Sequence, residues 1–204
     1  MQIKKQEIQD TILEVASIEF VKKGYDNASL RTIAKKANTS LGNIYNYYPS
    51  KEAILDALLL PEVEDLKNLL EEHFRLNTPV HDAKDIDRIL DKVDVEDTQL
   101  RAILCREFVL LVKTDVPKYV EYREQFLSMF RKHVAWHMNV KEDNHFIVII
   151  SNMMIDCIMH YVQCEYHTKR KKEDFVEMFK MLCAGFMGND TVDKIKTDDS
   201  EEIK

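Results

Sequence analysis

Ile8, Ile12, Ala16 and Phe20 recur every four residues, with Leu13 beside them, while lysines and acids fill the other side. That spacing lays one apolar stripe along a helix, which has to be covered by something else. The segment "VKKG" ends it, because Lys22 and Lys23 complement the negative helix end and Gly24 is free to take the left-handed cap conformation. Such breakers are rare here: 204 residues hold four glycines and four prolines, with 45% hydrophobic and 32% charged residues. The expectation is an all-α chain, long enough to bury a sizeable core.

Ser29 stands where an N-cap belongs, ahead of "LRTIAKKA", whose Leu30, Ile33, Ala34 and Ala37 share one face. Asn38, a residue that tolerates positive φ, breaks that helix, and Ser40 can cap a third short one through about Tyr47. Short second and third helices joined by a tight turn read as a helix-turn-helix unit over residues 1–49. A larger helical domain is expected over 50–190, with a flexible tail at 191–204. Its helices should run from Ser50 to about Arg75 with a kink or break at Pro61, and over about Asp85–Val93, Thr98–Lys113, Pro117–Met138, Asp143–His167 and Glu173–Met187.

The net charge is -7, yet residues 1–51 carry eight bases against five acids, so this part is +3 and the remainder -10. A basic head on an acidic body suggests a polyanion partner at one end. Cys105, Cys157, Cys164 and Cys183 are far apart in a chain with no signal peptide, which predicts reduced thiols and a cytoplasmic location. The most apolar run, Phe146–Val162, has 17 residues and is interrupted by Ser151, Asn152, Asp156 and His160, so no membrane segment is expected. Phosphate loop, nucleophile elbow, metalloprotease helix and redox "CxxC" are all absent from the sequence, which assigns no catalytic residue and no cofactor.

The stretch "SLGNIYNYY" has the makings of a recognition helix. Ile44 and Tyr48, one turn apart, can face inward with Ile33 and Phe20, leaving Leu41, Gly42, Asn43, Tyr45, Asn46 and Tyr47 outward. Gly42 would let the backbone approach a duplex closely, and the amides of Asn43 and Asn46 can pair with adenine or phosphate. Tyr45 and Tyr47 can pack on sugars or thymine methyls, and Lys51 adds charge near the next helix N-terminus.

From Gly24 to Leu55, "GYDNASLRTIAKKANTSLGNIYNYYPSKEAIL" resembles the DNA-binding signature of the TetR family of bacterial transcriptional regulators. Ser29, Ile33, Ala34, Ala37, Ser40, Gly42, Tyr45, Tyr47, Lys51 and Leu55 all stand where the family pattern asks for them. Two positions depart from it: the usual turn glycine is Asn38, and the usual phenylalanine is Tyr48. The resemblance implies that Ser29 and Arg31 hold phosphates, that Leu41, Gly42, Asn43, Tyr45, Asn46 and Tyr47 form the recognition face, and that Lys51 anchors to the DNA backbone. Ser40 completes the DNA-facing set. It further implies a C-terminal domain that binds an effector and dimerises.

The long helices read compatibly. The helix from Asp143 and the last helix are each apolar on two faces, as expected if one face packs on the subunit core and the other on a twofold partner. Ile158, Tyr161, Met178, Met181 and Gly185 are the candidate interface. Phe108, Tyr122, Phe126, Met129, Trp136 and Met153 supply large or adaptable side chains for an effector pocket. Cys157, His160, Cys164 and His167 share a drifting helical stripe, but ten helical residues span about 15 Å, so the four cannot reach one ion. Packing is expected there, and no metal site is assigned. The function expected is a homodimeric repressor on a palindromic double-stranded operator, released by a small-molecule effector. An activator or co-regulator of the same architecture, acting through a protein partner, is the alternative.

Overall fold

The computed structural model describes residues 2–76, 102–138 and 140–163, together with helical positions 174, 175, 177, 178, 181, 182 and 185. Seven continuous helices and no strand occur among the described residues: α1 (Gln2–Lys23), α2 (Leu30–Lys36), α3 (Leu41–Tyr47), α4 (Lys51–Leu76), α5 (Arg106–Lys113), α6 (Pro117–Met138) and α7 (His145–Gln163). The all-α expectation holds. The segment 85–93, the tail 191–204, and Cys164, His167 and Cys183 lie outside the described residues. Two compact units form, one from Met1–Leu66 with Cys105–Arg123, the other from Lys67–Leu104 with Glu124–Lys204.

In the first unit, α1 packs against α2 and α5, and α2 against α3. Ile12, Ala16, Phe20, Ile33, Ala34, Ile44 and Tyr48 form its core around the short helices, joined by Ile54, Leu55 and Leu59 of α4 and Phe108, Leu111 and Tyr119. The breakers act as read. Gly24 has φ +78° and Asn38 φ +50°. After α2 the Thr39 N–H reaches the Ala34 carbonyl at 2.9 Å and the Asn38 N–H reaches that of Lys35 at 3.3 Å. This is the double bond pattern that closes a helix through a left-handed residue, so asparagine serves where glycine is usual.

Two boundaries differ from the sequence reading. Helix α4 continues through Pro61 without a break. A proline ring costs a helix interior about 3 kcal/mol or more, and apolar burial of Leu58, Leu59 and Leu66 on either side of it works against that local cost. The helix expected over about Thr98–Lys113 is interrupted at Leu104 and Cys105, with Ala102 and Ile103 helical before them; α5 starts at Arg106, where the Cys105 Sγ accepts the Phe108 N–H at 3.3 Å and acts as its cap, and residues 98–101 lie outside the described residues. The same thiol donates to Glu62 Oε2 at 3.3 Å. Burial first, and then the Glu62 charge, push its pKa far up, so Cys105 is an unreactive structural thiol.

In the second unit, α6 carries an aromatic row. Ring centroids are 6.0 Å apart for Phe126 and Phe130, 6.1 Å for Phe130 and His133, and 4.6 Å for His133 and His137, with Trp136 4.8 Å from His137. Helix α7 buries Ile147, Ile150, Met154, Ile155 and Ile158. By length and composition alone α7 could cross a membrane; its exposed side carries His145, Asn152, Asp156, His160 and Gln163 as well as Phe146, Ile149 and Met153. Among the described residues no group of three or more His, Cys, Asp or Glu side chains could hold a metal ion.

Asp56 links α4 to α6 within the first unit: the Tyr119 hydroxyl donates to its Oδ1 at 2.5 Å and the Lys118 ammonium at 3.2 Å. The Tyr119 bond, above all, holds the Asp56 carboxyl below its ordinary pKa. A carboxyl lowered in the folded state contributes stability that is complete above its unfolded pKa and lost as pH falls through the folded value. Asp56→Asn should therefore lower the melting temperature most at neutral pH, and the gap to the parent should close below about pH 4. Thermal melts followed by circular dichroism across the acid range check this, and a gap that does not vary with pH would contradict it.

Candidate nucleic-acid interface

Helix α3 has only seven residues, and an isolated helix of that length is unstable in water. It is held by the fully buried Ile44 beneath it and by the mostly buried Tyr48 at its end. Burial, and then the Asp10 charge, raise the Tyr48 pKa, so its phenol stays protonated. The Ser40 side chain accepts the Asn43 N–H at 3.0 Å and thereby caps the helix start. Ser50 does the same for the next helix, accepting the Ala53 N–H at 3.0 Å. Ser29 has the extended backbone of an N-cap but makes no capping bond with its side chain, which leaves its hydroxyl available at the surface.

The face that α3 turns outward consists of Gly42, Tyr45 and Asn46, all exposed, with Leu41, Asn43 and Tyr47 half-buried at its margins. Tyr45 retains 49% of its surface. A Cβ built on Gly42 would meet only the Ser40 Oγ, at 3.9 Å, so the space above this backbone is open to a partner. Asn43 is less free than its sequence position suggests: its Nδ2 donates to the Thr39 hydroxyl at 2.8 Å, which orients the amide. Tyr47 lies beneath the Lys5 ammonium, 5.9 Å from its ring centroid. Exposed Arg31 and Lys35 stand on α2. Lys36 instead meets the buried Glu19 carboxylate at 2.5 Å and locks α2 to α1.

Lys51, expected as an anchor to the DNA backbone, is engaged within its own fold. Its ammonium donates to the backbone carbonyls of Tyr25 at 2.7 Å, Asp26 at 3.1 Å and Ala28 at 3.4 Å, and it sits over the Tyr25 ring at 4.4 Å. An ammonium has only three protons to donate; here they close the loop between α1 and α2 onto the start of α4. Tyr25 in turn packs edge-on against Phe20 at 5.4 Å. Sequence reading missed Tyr25, Thr39 and Lys5 as parts of this surface; only the four-residue step from Thr39 to Asn43 hinted at one of them.

The other expected sites are distributed differently. Phe108 is fully buried in the core of the first unit, where Tyr122 also lies, 6.2 Å from Tyr119. Phe126, Met129 and Trp136 belong to the second unit. Met153, expected in a pocket, is 43% exposed, because helical spacing puts it on the outer side of α7 with Phe146 and Ile149. Ile158, expected at a subunit interface, is buried within its own unit. Tyr161 packs on Phe175 at 4.7 Å. Met181 and Gly185 are exposed, and Met178 half-buried.

Residues 12–58 match the family model of bacterial regulatory proteins, tetR family. The HTH-type transcriptional regulator YhgD of Bacillus subtilis is 30% identical over 71 residues, covering 35% of this chain and 37% of that protein. The regulator YuxN of the same organism is 43% identical over 53 residues, covering 26% of this chain and 18% of its own length. Both likenesses span well under two thirds of those relatives. A crystal structure of a TetR transcriptional regulator family member from Streptomyces coelicolor A3 superposes with a TM-score of 0.57 at 21% identity, covering 84% of this chain and 88% of that one; it establishes likeness of fold.

The Lys51 geometry predicts that Lys51→Met lowers stability by about 1–3 kcal/mol, since charge-assisted bonds to the loop carbonyls are lost. Folded variant should keep the parent's dependence of DNA affinity on salt, whereas losing one phosphate contact would flatten the slope by about one. Urea unfolding and binding titrations at several salt concentrations measure both quantities.

Proposed function

We propose that this chain, whose residues 12–58 match the family model of bacterial regulatory proteins, tetR family, is a member of that family and a DNA-reading transcriptional regulator, not an enzyme. Residues 1–49 are its DNA-binding domain and 50–190 its effector-binding and dimerisation domain. The observation that carries this reading is α3: a two-turn helix with no charged residue, pinned from behind, whose open outward face is built of an amide, an exposed tyrosine and a glycine. Such a face offers little to a small metabolite, and its groups match base edges, sugars and thymine methyls. Ser29 and Arg31 flank it as phosphate contacts.

The protein acts as a homodimer. Phe146, Ile149 and Met153 make an exposed apolar stripe along α7, and Met181 is 76% exposed. An exposed stripe of this kind calls for a covering surface, and a second copy supplies a self-complementary one. This interface replaces Ile158 and Tyr161 by the outward row of the same helix and retains Met181 and Gly185. Two copies carry two α3 faces, which matches a palindromic operator. In the repressor reading, an effector held near Phe126, Met129 and Trp136 favours the state with the lower operator affinity. The compartment is the cytoplasm, where cysteine thiols stay reduced.

Enrichment of random-sequence duplexes on the purified protein should yield a palindrome. Changing both Ile149 and Met153 to glutamate should give a monomer of unchanged helical content that enriches no palindrome, as read by sedimentation and circular dichroism. A double variant that remains dimeric and retains parental affinity would overturn the interface.

A further inference from the structure

We infer that α3 reads A·T base pairs, with Asn46 as the adenine-reading side chain and Leu41 and Tyr45 as apolar contacts to thymine methyls; this rests on the DNA-reading assignment above. The chemistry of the major groove sets the choice. Guanine is recognised best by arginine or lysine, donating to its O6 and N7, and cytosine by a carboxylate that accepts from its N4 amino group. Helix α3, with the sequence LGNIYNY, offers neither a cation nor a carboxylate. Adenine takes a paired amide through N6 and N7, and thymine presents a methyl group for apolar contact.

The structure separates two asparagines that the sequence treats alike. Asn43 is half-buried and its Nδ2 is engaged with Thr39 at 2.8 Å. Asn46 is exposed and keeps its carbonyl and amino group together on the outer surface, as a two-point match to adenine requires. The nearby cations do not substitute. Lys36 is engaged by Glu19 and Lys51 by the loop carbonyls, while Arg31 and Lys35 stand on α2 and Lys5 on α1 over the Tyr47 ring, so guanine reading by a cation falls to base pairs reached from α1 or α2.

The test is enrichment of random duplexes by the full chain, run in parallel on the parent, Asn46→Ala and Asn46→Arg. Asn46 is exposed, so both variants should keep the parental circular dichroism. The parent should select an A·T pair in each half-site that Asn46→Ala no longer selects, and Asn46→Arg should select G·C there. Placing G·C at that position should weaken the parent by about five- to 150-fold per base pair. If the position relaxed by Asn46→Ala is G·C in the parent, or if Asn46→Ala relaxes no position, the inference fails while the DNA-reading assignment stands. If folded, dimeric parent enriches no sequence, the DNA-reading assignment fails and takes the inference with it.

Discussion

Burial of Phe20, Ile33 and Ile44 is the constraint on which the DNA-reading end depends. Helices α2 and α3 have seven residues each, too few to form without tertiary support. Their geometry is therefore borrowed from the core beneath them. Local devices then fix the details: the left-handed Asn38 sets the angle between the two helices, Ser40 caps α3, and Lys51 draws the loop after α1 onto α4.

Charge is used in two ways in this segment. Some cations are structural: Lys36 neutralises the buried Glu19, and Lys51 donates to carbonyls of the loop between α1 and α2. Others, Arg31 and Lys35 among them, stay in water and supply the field that attracts a polyanion. The formal excess of +3 in residues 1–51 therefore does not measure the charge offered to DNA. Recognition by α3 itself is carried by uncharged groups, which separates reading of bases from attraction to the backbone.

In the second unit, α7 shows how one helix serves two environments. Ile147, Ile150, Met154, Ile155 and Ile158 face inward, and Phe146, Ile149 and Met153 face outward. The two rows differ by about one residue in phase, and on a helix of 3.6 residues per turn that is a rotation of roughly 100°. Both rows are apolar, so hydropathy alone could not say which one closes the core.

What the sequence determined by itself is everything encoded over a few residues: the apolar spacing of α1, the positive φ of Gly24 and Asn38, the caps at Ser40 and Ser50, and the inward pair Ile44 and Tyr48. These signals are legible because backbone sterics and helix-end hydrogen bonding are local. The tertiary structure alone decided that Lys51 bonds the Tyr25–Ala28 loop, that Cys105 starts α5, that α4 runs on through Pro61, and that Met153 faces out while Ile158 faces in. Each of these depends on which distant surface covers a residue, and a side chain with several possible partners does not announce its partner in its own sequence neighbourhood.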